Sequence, residues 1–89
     1  MGNPKEVTCT EAGLTKEDVY TLIFTEMKKH QDGLEMKNIY DIINNKLKEE
    51  NEILSEQGKA SLRRLINSNA VQEGYGLYPI KFTRLSDFP

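Results

Sequence analysis

The sequence has one cysteine, one histidine and no tryptophan in 89 residues. A lone thiol, Cys9, cannot close an internal disulfide, and the lone histidine, His30, has no clustered Cys or His at metal-ligand spacing. A disulfide scaffold and a His/Cys metal centre are thereby excluded, and a reducing, intracellular compartment is expected. No apolar run approaches the roughly 18 residues that a membrane span needs, and no signal-peptide core is visible. Position 6 is Glu6 where a myristoylated Met-Gly terminus needs Ser or Thr. Three prolines and six glycines are too few to signal disorder.

Catalytic motifs are equally scarce. Gly74-x-Gly76 lacks a GK[ST] and a following helix, so it is no phosphate loop. The Glu49-Glu50-Glu52 run lacks EF-hand spacing. Cys9 has no basic neighbour inside an expected element to make it a nucleophile. His30 falls near the end of the first helix, where the helix dipole accounts for it. The four tyrosines read as core edge and hairpin rather than a cofactor box. No catalytic residue, metal or cofactor is therefore expected, and the chain reads as a binding module rather than an enzyme.

What is present fits one small globular domain. A chain of this length buries only about 60 % of the surface that it would expose unfolded. Neither sign of charge dominates: 12 Lys/Arg stand against 14 Asp/Glu, a net −2. Residues 1–34 and 35–54 are each net −2, whereas residues 55–89 carry five basic against three acidic groups, net +2. Positive charge thus collects in the last third, although the acidic total does not suit wholesale polyanion binding.

Residues 1–14 show no sustained period and are expected to form a flexible N-terminal tail. Thr15 is an N-cap candidate with Asp18 as its capping-box partner, and Val19, Leu22, Ile23 and Met27 recur at helical spacing to about Gln31. Asp32-Gly33 ends that helix. Leu34-Glu35 is a short extended piece. Met36, Ile39, Tyr40, Ile43 and Leu47 then define a second amphipathic helix, and Lys48–Glu52 is too charged to bury. Ser55 caps a third helix with Leu62, Leu65 and Ile66 inward; Gly58 in its first turn costs about 1 kcal/mol relative to Ala. Beyond Asn69 the pattern predicts a strand over Val71–Glu73, a turn at Gly74-Tyr75-Gly76, and a second strand from Ile80 to Leu85 with Ile80 and Phe82 on one face.

That order specifies a mainly α, α+β domain over residues 15–85: a winged helix-turn-helix of three helices plus a C-terminal β-hairpin wing, with 86–89 a short tail. A three-helix bundle with a disordered end is the competing fold, and Ile80 with Phe82 argues against leaving that end unpacked. Within this frame, Ser61-Leu62-Arg63-Arg64-Leu65-Ile66, the wing glycines Gly74 and Gly76, and Phe82 with Leu85 resemble the third helix and wing of linker-histone globular domains. That resemblance covers about the final thirty residues and implies DNA binding in a nuclear, chromatin-associated setting. A weaker likeness, in Gly13-Leu14-Thr15 and Asp32–Met36, is to the C-terminal winged helix of the replication protein A middle subunit, which implies protein docking.

The candidate site follows from the third helix. With its leucines inward, Gln57, Ala60, Arg63, Arg64 and Asn67 face outward, and Arg and Asn/Gln are the side chains that pair with guanine and adenine edges. Lys59 joins them as a phosphate ligand. In the wing, Lys81 and Arg84 are expected to reach phosphates and Tyr75 or Tyr78 to stack or wedge. Three to five phosphate contacts imply a log–log salt slope of about −3 to −4.5 and modest affinity for double-stranded DNA. The alternative is a protein-docking winged helix with no DNA affinity, using the acidic faces of helices one and two. The isolated domain is expected to be monomeric.

Overall fold

A computed structural model describes residues 2–77 and 80–88. The first helix, α1 (Lys16–Lys29), starts where local chemistry dictates. Thr15 Oγ1 accepts from the Asp18 N–H at 3.1 Å, and the Thr15 N–H donates to Asp18 Oδ2 at 3.0 Å, which satisfies two otherwise orphaned donors. These bonds hold the Asp18 carboxyl below its ordinary range. Val19, Ile23, Phe24 and Met27 are buried, while Leu22 is half-buried. The helix closes at His30 rather than Gln31. Gly33 follows at φ +86°, and a Cβ there would lie 2.4 Å from the Phe82 carbonyl oxygen. Only glycine lets this turn lie against the sheet.

Strand β2 (Leu34–Glu35) leads directly into α2 (Met36–Leu47), which buries Ile39, Ile43 and Leu47. A 3₁₀ turn at Lys48–Glu50 and the left-handed Asn51 (φ 55°) carry the chain into β3 (Glu52–Leu54). Asn44 Oδ1 accepts the Leu54 N–H at 2.9 Å and so ties the connection to α2. The third helix, α3 (Glu56–Ala70), begins at Ser55, whose Oγ accepts the Gly58 N–H at 3.0 Å. Leu62, Ile66 and Ala70 are buried, whereas Leu65 is only half-buried at the edge of the stripe.

The N-terminal segment is not the expected tail. Strand β1 (Lys5–Val7) pairs in parallel with β3, in the register Lys5↔Glu52 and Val7↔Leu54. Val7 is 1 % exposed, and its carbonyl accepts the Ser55 N–H at 2.9 Å. Thr8 and Glu11 then exchange reciprocal backbone-to-side-chain bonds at 2.9 and 3.1 Å, and Cys9, Ala12 and Leu14 pack on the core. Gly58 explains how β1 comes so close: a Cβ there would stand 2.8 Å from the Val7 oxygen. The expected C-terminal tail is folded back as well. Leu85–Asp87 is a 3₁₀ turn, and the half-buried Phe88 ring lies 2.9 Å from where a Gly76 Cβ would be.

The hairpin also differs from the sequence reading. Val71–Glu73 is a 3₁₀ turn continuing α3, not a strand. Gly74, at φ +85°, ends that helical path rather than turning a hairpin. The strands are β4 (Tyr75–Leu77) and β5 (Lys81–Arg84), paired antiparallel with Tyr75↔Arg84 and Leu77↔Phe82. β2 pairs antiparallel with the other side of β5 through Leu34↔Phe82, giving the order β2-β5-β4. Phe82 is therefore fully buried between two partners, whereas Ile80 precedes the ladder and is 65 % exposed. It does not share the packed face with Phe82. Tyr78, expected to wedge or stack, lies outside the described residues. Among the described residues, three α-helices, a small antiparallel sheet and a parallel two-stranded ribbon make an α+β domain.

Candidate nucleic-acid interface

The burial of Leu62 and Ile66 fixes the roll of α3, and at 3.6 residues per turn it sends the intervening positions outward. Gln57, Arg63, Arg64 and Asn67 are all exposed, and Ala60 is half-buried. Arg63 donates from a terminal guanidinium nitrogen to Tyr40 Oη at 3.0 Å, which orients it along the α2 side of the helix. Arg64 and Asn67 face away from the core with no polar side-chain partner among the described residues. Four polar residues of the expected set thus share one helix face.

Lys59 is more committed than its neighbours. Its ammonium lies 3.6 Å from Glu56 Oε1 and 5.7 Å from the centroid of the Tyr40 ring. Both interactions hold the charge along α3. Tyr40 was expected among the inward residues of α2; it is half-buried and serves as a platform beneath two basic side chains.

The hairpin supplies less than the sequence suggests. Tyr75 cannot stack on a base: it is 4 % exposed, with its ring 6.3 Å from that of Phe24. Ending the helical path at Gly74 places Tyr75 at the first inward position of β4, so the aromatic side chain fills the core instead of a turn. Lys81 and Arg84 are both exposed, yet alternation along β5 sends them to opposite faces. Lys81 stands opposite Glu35 in the β2–β5 register and reaches the Asp32 carbonyl at 3.5 Å. Arg84 lies at the root of the hairpin, opposite Tyr75. The two do not form one basic surface with each other.

Charge pairing divides the cations, and among the described residues Lys5, Lys16 and Lys48 fall on the unpaired side together with most of the expected site residues. Lys28, Lys29, Lys37, Lys46 and Lys59 each lie within 4.0 Å of a carboxylate. Among the described residues no carboxylate comes that close to Arg63, Arg64, Lys81 or Arg84.

Two features had no signal in the sequence. Tyr20 Oη donates a hydrogen bond to Glu73 Oε2, between residues 53 positions apart, and Lys28 Nζ lies 3.5 Å from Glu73 Oε1. That hydrogen bond raises the Tyr20 hydroxyl above its ordinary value and lowers the Glu73 carboxyl. A cleft of about 270 Å³ opens between the N-terminal segment and α3, lined by Cys9, Leu14, Lys16, Ser61 and Leu65 among others. Burial pushes the Cys9 thiol above its ordinary value, which disfavours the thiolate. His30 Nε2 lies 3.8 Å from Glu26 Oε2, half-exposed at the end of α1. Among the described residues no group of three or more His, Cys, Asp or Glu is placed to hold a metal ion.

No protein-family model, curated protein or solved structure matches the chain. No helix among the described residues is long and apolar enough to cross a membrane.

Proposed function

We propose that this chain is a winged-helix module that binds double-stranded DNA through the outer face of α3, with α2–α3 as the helix-turn-helix and β4–β5 as the wing. The observation that carries this reading is the exposed Arg63-Arg64 pair, unopposed by any carboxylate among the described residues and flanked on the same face by Gln57 and Asn67. Guanidinium groups paired with no internal anion are available to phosphate or guanine, and the amides suit adenine. A nuclear, chromatin-associated setting belongs to the same proposal and rests on it.

The geometry narrows the expected affinity. Arg63, Arg64 and one hairpin cation engage two to three phosphates, so the log–log salt slope becomes about −1.8 to −2.7. Such binding is weak at physiological salt and suits a domain that acts beside another contact.

Titrating labelled duplex DNA at two salt concentrations tests the proposal. Replacing Arg63 and Arg64 together by Ala is expected to weaken binding and to flatten the slope by about two units, one per lost phosphate. Absence of binding at low salt, or an unchanged slope in the double variant, rejects it. A second reading, protein docking, is favoured by the exposed Leu77 and Ile80 on the hairpin, 47 and 65 % accessible. A protein partner retained by the Arg63/Arg64 variant and lost on Leu77→Ser plus Ile80→Ser would establish that reading instead.

A further inference from the structure

The path from α3 into the hairpin runs through Val71–Glu73 and Gly74, and α1 grips it on both sides of the glycine. On one side, Glu73 accepts the Tyr20 hydroxyl and pairs with Lys28. On the other, the Tyr75 ring lies against Phe24, whose own ring is 4.7 Å from that of Tyr20. Tyr20 and Phe24 are one helical turn apart on α1, so a single stretch of that helix holds residues 73 and 75. Gly74 between them donates its N–H to the Val71 carbonyl at 3.0 Å and accepts the Leu85 N–H at 2.8 Å. The root of the hairpin is thereby closed.

We infer that Glu73, held by Tyr20 and Lys28, is a positioning residue that fixes the angle of the hairpin to α3. It touches no DNA in this scheme. Its effect is to keep Arg84 at the hairpin root in a constant relation to Arg63 and Arg64, so that one backbone of a duplex meets both elements together. A glycine at positive φ has no side chain of its own to resist rotation, so the neighbouring carboxylate supplies the restraint. The consequence for binding rests on the DNA reading above, whereas the restraint itself does not.

The test uses Tyr20→Phe, which keeps the ring on Phe24 and removes only the hydroxyl. Amide hydrogen exchange is expected to accelerate about three- to tenfold at Leu85 and Thr83, the scale of one ordinary net hydrogen bond. Ile66 and Leu62 in α3 should keep their wild-type rates. Glu73→Ala, which also releases Lys28, should match or exceed the effect, Glu73→Gln, which keeps an acceptor, should be milder, and Tyr20→Phe combined with Glu73→Ala should not exceed Glu73→Ala. In duplex titrations Tyr20→Phe should reduce the salt slope by about 0.9, one hairpin phosphate.

Unchanged hairpin exchange, or acceleration spread evenly over α3 and hairpin, overturns the inference. A loosened hairpin in a protein whose DNA affinity and slope stay at wild-type values overturns the consequence for binding and leaves the restraint itself standing. Selective loosening in a protein that binds no DNA at all sinks the DNA reading and leaves the restraint standing.

Discussion

Replacing Gly58 by alanine sets two effects of known size against each other. In a helix, alanine gains up to about 1 kcal/mol over glycine. The new methyl carbon would lie 2.8 Å from the Val7 oxygen and 3.2 Å from Thr8 Cα, both backbone atoms. Leu54 Cδ2, at 3.1 Å, is a side-chain end that can swing aside, but the strand has to move as a unit. Relief requires β1 to shift outward by roughly half an ångström against ordinary carbon contact distances, straining the 2.9 Å bond from the Ser55 N–H to Val7. Overpacking of this kind costs about 1–3 kcal/mol. Complete release of β1 would instead expose Val7, whose burial contributes about 1.5–3 kcal/mol. The net expectation is a destabilisation of about 1 kcal/mol, or about 4–8 °C in Tm for a domain of this size. Urea unfolding of Gly58→Ala measures it. The sign should reverse in a chain lacking residues 2–8, where no strand is left to collide with and the helical gain of up to about 1 kcal/mol stands alone. A more stable Gly58→Ala in the full chain, or the same sign in both backgrounds, would refute the close approach of β1 to α3.

Leu62→Ala should cost about 2–5 kcal/mol as a truncation in a closed core. Leu65→Ala, at the half-buried lip of the cleft, should fall clearly below it in the same unfolding assay, contrary to equal inward roles for the two leucines. Because Glu73 is held below its ordinary 4.5, its contribution is complete above that pH and fades as pH falls through the depressed value. Tyr20, raised above its ordinary 10.0, contributes fully below that pH and loses the bond as pH rises through the raised value. The stability difference between wild type and Tyr20→Phe should therefore be flat between these limits and shrink beyond both; a difference independent of pH would dissociate the pair from folding.

The helices were legible because their signals are local. Thr15 with Asp18, and Ser55 ahead of the Leu62/Ile66 stripe, state start and orientation within a few residues. The exposure of Arg63 and Arg64 followed from the same stripe. β1 was hidden because it spans three residues with one buried side chain, and its partner lies 47 positions on, from Lys5 to Glu52. Gly58 carried the trace of that contact, since a helix-weakening residue in a first turn has a reason when another backbone must pass. The hairpin was displaced because Gly74 fits a turn or a helix end equally well in sequence. Choosing the turn put Tyr75 outside, whereas choosing the helix end puts it inside. The divergence of Lys81 and Arg84 was available from strand alternation, but the union of both with α3 ignored it.

The stretch between α2 and α3 has the composition of a loop, charged and exposed from Lys48 to Asn51, and such stretches ordinarily accept added residues. Here it does not have that freedom. Asn51 occupies a left-handed conformation, and the next three residues are in register with β1 while Leu54 is buried. One extra residue between Glu52 and Leu54 would exchange inward for outward positions, pulling Leu54 out of the core or Ser55 off the start of α3. Length variation is thus barred from a segment whose chemistry advertises tolerance, and this connection is as fixed in size as the helices that it joins.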